Sequence, residues 1–349
     1  MFRRKNTILG LDIGTSSIKA IEMSSSGGSG DFSITGYGQV AITDVENPLN
    51  DIKELLHTSG IKSKRVITGV SGREVIVRYI SMQPVDKENL AEAVRFEADK
   101  YIPYDLEEVV LDSQRLDDDT TVNVSTSGEM KVLLVAAKRS LIESRVGLLR
   151  SSELHPSIID VDSFALGNAF VLKSMLSPRP EVEGKIVSLV DIGCTKTNIN
   201  IMIGNTSFFT REIYLAGNEF TEEIQKRLEV TTEEAEGLKR EPGIFALEVQ
   251  EAVAPVIEDL ANEITLSFEY FEGQFEREVE EIFVSGGGSQ LFSLEPDFER
   301  IFGKRINRWD PTENFEIRED QVDIDALRAN SSQLAIAIGL ASRIYQNKV

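Results

Sequence analysis

Two short stretches carry residue types at a spacing that suits phosphate chemistry. The first is Leu11-Asp12-Ile13-Gly14-Thr15-Ser16-Ser17-Ile18-Lys19. Apolar Ile8, Leu9, Leu11 and Ile13 lead in, and Ile18, Ala20 and Ile21 lead out, the pattern of a β-hairpin with a polar tip. Gly14 lets the backbone approach a ligand closely. Thr15, Ser16 and Ser17 offer hydroxyls and N–H groups to phosphate oxygens, and Lys19 puts a positive charge on the returning strand. The second stretch, Val190-Asp191-Ile192-Gly193-Cys194-Thr195-Lys196-Thr197-Asn198, repeats the design 179 residues on. One acid-plus-glycine turn is common. Two, each between apolar strands and a domain's length apart, predict an internal duplication. Facing hairpins can grip a phosphate chain from both sides while Asp12 and Asp191 hold a hydrated Mg²⁺.

Three further places could serve the same chemistry. The strand Ile282-Phe283-Val284-Ser285 runs into Gly286-Gly287-Gly288, a flat backbone surface across which an aromatic base can slide. Alone it reads as a flexible turn; after two phosphate hairpins the base-binding reading is the better one. Glu236 and Lys239 lie three apart on one helical face, where an intrahelical ion pair is an equal alternative. Asp162, at the start of a helix, can position a water for hydrolysis, although the helix macrodipole by itself favours an acid there.

The elements that must position these residues follow from local patterns. Residues 1–78 read as a first α/β half, with a Ser/Gly loop from Ser24 to Gly30 and a short amphipathic helix from Asn50 to Ser59. Residues 79–155 read as an inserted small subdomain. Asp86 can cap a helix whose face is Leu90, Val94, Glu97 and Tyr101, closed by Pro103. Asp117-Asp118-Asp119 reads as a solvated hairpin turn. Residues 156–186 return to the first half, with Ser163 capping a crossing helix over Phe164 to Met175. Residues 187–213 open a second half, 214–280 form a helical subdomain, and 281–349 complete the second half. In the helical part Thr231-Thr232-Glu233-Glu234 is a capping box and Pro255 predicts a kink. Arg300 to Asn314 reads as a mixed loop. Asn330 is the expected cap of a last helix rich in small residues.

Composition excludes several classes. The chain has 349 residues, enough for two or more domains, and 41% of them are hydrophobic. A net charge of −21 argues against nucleic acid or anionic lipid as a direct partner. A single cysteine, Cys194, allows no internal disulfide, and two histidines, His57 and His155, exclude a histidine-rich metal site. No apolar run reaches the roughly 20 residues of a membrane span. Met1-Phe2-Arg3-Arg4-Lys5 is basic but lacks a signal-peptide core, which favours the cytoplasm.

The two turns are similar to the phosphate loops of the actin, heat-shock chaperone and sugar kinase superfold. Within it the chain resembles the type IV pilus assembly protein PilM family, relatives of the cell-division protein FtsA. The opening basic residues, the stretch LGLDIGTSSIKAIE, and Ala93-Val94-Arg95-Phe96-Glu97-Ala98 with Tyr101-Ile102-Pro103 carry the likeness, which runs over nearly the whole chain. The resemblance implies an actin-like (ribonuclease H-like) α/β fold of duplicated domains, each with a mixed five-stranded sheet, and an inserted FtsA-type small subdomain. It implies ATP and Mg²⁺ in the cleft. Gly14, Thr15, Ser16, Lys19, Gly193, Thr195 and Thr197 would then face phosphates, Asp12 and Asp191 the metal, and Glu236, Lys239, Gly286, Gly287 and Gly288 the nucleoside. It also implies a partner, the short cytoplasmic N-terminal tail of a PilN-like bitopic protein, and so a place at the inner membrane with other pilus assembly proteins. Self-association stays open, and ATP turnover is expected to be slow at most. The alternatives are a small-molecule kinase of the same superfold, for which no substrate-pocket motif is visible, and an FtsA-like membrane filament. The filament wants an amphipathic helix beyond a C-terminal linker, and Lys348-Val349 directly after the last helix is the expectation against it.

Overall fold

The computed structural model describes residues 6–25, 32–116, 128–180 and 182–344. The basic opening, most of the Ser/Gly loop, the Asp117–Asp119 run and the terminal Lys348-Val349 lie outside them. The chain begins as predicted, with a hairpin of β1 (Asn6–Ile13) and β2 (Ser17–Ser25), followed by β3 (Phe32–Ala41), α1 (Leu49–Thr58) and β4 (Arg65–Val70). It then leaves the sheet for β5 (Val75–Met82), α2 (Leu90–Ala98), β6 (Val109–Arg115) and β7 (Met130–Lys138). These strands form a small antiparallel sheet of order β5-β7-β6. Helix α3 (Arg139–Ser151) starts on the residue after β7 and buries Leu149 in the core of the first sheet, to which β8 (His155–Val161) returns parallel to β4.

Helix α4 (Asp162–Leu176) crosses to the second half: β9 (Ile186–Ile192), β10 (Thr197–Ile203) and β11 (Thr206–Ile213). Then come α5 (Gly217–Leu228), α6 (Thr232–Arg240), α7 (Ala246–Phe275), β12 (Glu281–Ser285), α8 (Leu294–Phe302) and β13 (Ile306–Arg308). The chain ends through β14 (Glu316–Ile317), α9 (Ile324–Ala329) and α10 (Ala335–Ala341). The second sheet has the order β11-β10-β9-β12-β13, and the first repeats it as β3-β2-β1-β4-β8. In both, an antiparallel three-strand meander is extended by parallel strands. The first sheet gains a sixth, two-residue strand, because β14 comes back from the second half to pair with β3. The duplication read from two turns is therefore a duplication of whole sheets.

The two halves are joined by α4 and α10, whose small residues permit backbone contact. A Cβ on Gly339 would fall 1.7 Å from the carbonyl oxygen of Ala165. Lys173 is buried in α4 and pairs with Glu313 at 2.6 Å, tying the helix to the segment that leads into β14.

Several local expectations differ. Ser163 does not cap α4, since β8 ends on Val161 and the helix starts at once on Asp162, leaving no loop for a cap. Arg300 to Asn314 holds the end of α8 and all of β13. Asn330 opens only a 3₁₀ turn, Ser331–Gln333, ahead of α10. The face Leu90, Val94 and Ala98 of α2 is core of the small sheet, with Tyr101 packed against it after the helix has ended.

Candidate functional site

A cavity of about 690 Å³ lies between the two halves, a size common for small-ligand sites. Its lining joins residues from both hairpins and from other elements. Asp12, Gly14, Thr15, Ser16 and Lys19 come from the first hairpin, and Asp191 and Gly193 from the second. Asp162 comes from α4, Glu236 and Lys239 from α6, and Gly286, Gly287 and Gly288 from the turn after β12. The two hairpins close identically, Gly14 N donating to Ser17 O at 3.2 Å and Gly193 N to Lys196 O at 2.9 Å. Their tips meet: Thr15 Oγ1 and Thr195 Oγ1 are 3.1 Å apart. Thr197 does not join them. It is fully buried and donates to the carbonyl of Leu215 at 2.8 Å, while its neighbour Asn198 is the one that lines the cavity.

The charges are arranged in pairs. Lys19 Nζ lies 3.1 Å from Asp12 Oδ2. The hairpin register explains this, because Asp12 and Lys19 are cross-strand partners, as Asp191 and Asn198 are in the second hairpin. Asp191 therefore has a neutral partner strand, and Ser285 Oγ donates to it at 2.8 Å. Burial lifts its carboxyl to about 6, and the charge of Asp12 adds to the lift while Ser285, Lys19 and Lys196 oppose it. Two buried acids, the charge of one raising the proton affinity of the other, favour a cation between them. No group of three or more His, Cys, Asp or Glu that could hold a metal occurs among the described residues. A hard cation here would thus draw on two carboxylates and on oxygens from water and ligand.

Asp162 is not a free acid. Its Oδ2 accepts from Ser71 Oγ at 2.6 Å and lies 3.0 Å from Lys196 Nζ, which also donates to Ser71 and sits 3.7 Å from Glu212. Burial raises the Asp162 carboxyl, yet Lys196, Ser71 and Arg145 together bring it below its ordinary value. Burial likewise opposes the charge on Lys196, but Asp162 and Glu212 hold its ammonium above the usual range. Glu212 accepts from Gly72 N at 2.9 Å, so this network ties the tip of the second hairpin and β11 to the first half.

At the other end, Glu236 and Lys239 form the intrahelical ion pair at 2.6 Å and still line the cavity. Lys239 also donates to the carbonyl of Gly217 and Thr221 donates to Glu236. The capping box at Thr231 and Glu234 that starts this helix is formed. Gly286 to Gly288 are not flat. Gly286 has φ +86°, and a Cβ there would lie 2.2 Å from the carbonyl oxygen of Ile192, so the chain turns at once into a 3₁₀ turn, Gly287–Gln290. Cys194 is a turn residue whose thiol donates to Asn218 Oδ1 at 2.8 Å.

Three polar residues of the site were missed from sequence. Lys196 stands in the hairpin tip at the place of Ser17, so the repeat register was its signal. Asn198 takes the place of Lys19, and its Oδ1 is buried with no hydrogen-bond partner among the described residues. Arg145 interrupts the spacing Leu141, Ser144, Leu148 on the face of α3 that lines the cavity. Taken together, hydroxyls and cations converge on paired acids at one end and a glycine-backed slot opens at the other. An extended anionic ligand with a bridging cation fits that donor set.

Comparison with known proteins gives the same architecture. The solved structure described as a PilM-PilN type IV pilus biogenesis complex matches with a TM-score of 0.82 and 27% identity, covering 97% of this chain and 98% of that one. MreB5 of Spiroplasma citri bound to AMPPNP matches with a TM-score of 0.54 and 12% identity over 98% of this chain and 97% of its own, which shows the actin-like fold alone. The cell division protein FtsA of Bacillus subtilis (strain 168) is 24% identical over 258 residues, 67% of this chain but only 57% of that protein. The family described as type IV pilus assembly protein PilM matches residues 10–345. A match spanning both halves, the small sheet and both crossing helices means that the chain belongs to the PilM family of type IV pilus assembly proteins.

Proposed function

We propose that this chain binds ATP with Mg²⁺ in the cleft and serves, on the cytoplasmic side of the inner membrane, as a nucleotide-dependent component of the pilus assembly machine. It would be held there by the N-terminal tail of a PilN-like bitopic protein. The observation that carries the nucleotide reading is the pair of identically closed hairpins whose tips touch at Thr15 and Thr195, above Asp12 and Asp191. The neighbouring solved structures support it, one of them an MreB5 bound to AMPPNP and another a PilM-PilN complex.

Bound Mg²⁺ would neutralise charge between phosphate oxygens. Asp12 and Asp191 hold the cation, which requires Asp191 to lose its proton. Thr15, Ser16 and Thr195 supply hydroxyls, Gly14 and Gly193 give close backbone access, and Lys19 supplies a charge-assisted contact. Glu236, Lys239 and the glycine turn hold the nucleoside. Asp162 is the one acid of α4 at the cavity, and its engagement by Lys196 and Ser71 keeps it from acting as a base, so turnover is slow. Calorimetry with MgATP tests the reading. Saturable binding that weakens in EDTA is expected; absence of binding at millimolar nucleotide overturns it.

A further inference from the structure

Arg145 sits on the cavity wall in an unusual state. Its Nη1 is buried without a hydrogen-bond partner, and it makes no ion pair among the described residues. A buried charged donor left unmatched is costly. Burial pulls its guanidinium below the ordinary arginine range, and the charges that oppose this belong to Asp162 and Asp12. Neither acid is spare. Asp12 holds Lys19 at 3.1 Å, and Asp162 holds Lys196 at 3.0 Å. The helix that carries it is anchored, because Leu149, one turn further on, is buried in the core of the first sheet.

Position decides what anion would complete it. Arg145 lines the cavity together with Asp12 and Asp162, and these two acids are the charges that act on it. Both hairpins already bring hydroxyls and backbone N–H groups to a phosphate chain. Arg145 enters from a third element, α3, on a wall of the cavity that neither hairpin forms. A guanidinium presents a planar fork of donors that matches two phosphoryl oxygens at once.

We propose that Arg145 binds the terminal phosphoryl group of a nucleoside triphosphate and makes the cleft select triphosphate over diphosphate. This rests on the nucleotide reading given above. The test is calorimetry on the full chain with Mg²⁺ and either AMPPNP or ADP, for wild type, Arg145→Ala and Arg145→Lys. Wild type should prefer AMPPNP. Arg145→Ala should lose about tenfold or more in AMPPNP affinity while ADP affinity stays within about twofold. Arg145→Lys, which keeps charge without the fork, should fall between, and it carries the test if the alanine variant fails to fold by circular dichroism. Equal weakening of both nucleotides, no change in either, or a wild type without preference overturns the proposal alone. A wild type that binds neither nucleotide overturns the nucleotide reading, and this proposal with it.

Discussion

Asp191 is 6% exposed, faces a second acid, and keeps its proton up to a pH of about 6. A folded value raised above the unfolded 3.8 means that the folded state binds more protons between those two values. Stability of the ligand-free protein therefore falls as pH rises through that window and stays reduced above it. Asp191→Asn removes the penalty. It should stabilise the ligand-free protein by about 1–3 kcal/mol at pH 7–8, with the gain fading towards pH 4. Denaturant titrations at several pH values would show this, and a variant less stable than wild type at pH 8 would contradict it. The same substitution should abolish the Mg²⁺ dependence of nucleotide binding. Lys19→Ala should cost about ten- to a hundredfold in MgATP affinity by removing a charge-assisted contact. Unchanged affinity in calorimetry would take Lys19 out of the phosphate site. Both residues were legible in sequence because each belongs to a hairpin that declares itself within ten residues. Lys196 and Arg145 were not, since their roles depend on acids from other elements.

At the scale of elements, the two crossing helices set how closely the halves approach. The site depends on this, because its hairpins belong to different halves. Gly339 and Ala165 are in backbone contact, and neither partner can rotate away as a side chain would. Gly339→Ala should therefore destabilise the protein by about 1–3 kcal/mol or more. It should also weaken nucleotide binding without altering any cavity residue. A denaturation midpoint equal to wild type would show that the helices have slack there. The small-residue stripe of the last helix was visible in sequence, but its partner on α4 was a matter of packing. The last helix starts later than its capping residues suggest, because Asn330 opens a 3₁₀ turn without capping it and donates instead to the carbonyl of Ala326, while Gln333 accepts from Gln39 across the molecule.

For the molecule as a whole, attachment is the question its charge raises. The net charge is −21, and no helix among the described residues is long and apolar enough to cross a membrane. The protein should not float with liposomes of anionic lipid alone. It should float when the cytoplasmic tail of a PilN-like partner is displayed on them, since such a segment would contribute backbone hydrogen bonds and a few apolar anchors. Flotation on bare liposomes, or none with the tail, would refute that mode of attachment. The face of α2 made by Leu90 and Val94 is not available for that tail, because it is core of the small sheet.

What the sequence determined by itself was local and repeated: two hairpins, a capping box, a strand ending in three glycines, and their order along the chain. Turn chemistry and apolar periodicity act within a dozen residues, so they are readable without coordinates. Only the tertiary structure decided which side chains face the cleft. Both faces of β9 and β10 are buried throughout, so no alternation of polar and apolar residues distinguishes them. Thr197 and Asn198 are adjacent and point to opposite faces, and residue type favoured the one that turns away. Lys196, Asp162 and Ser71 come from three distant points in the chain. Their meeting is set by how two sheets and a crossing helix pack, and packing of that range leaves no mark in any single window of sequence.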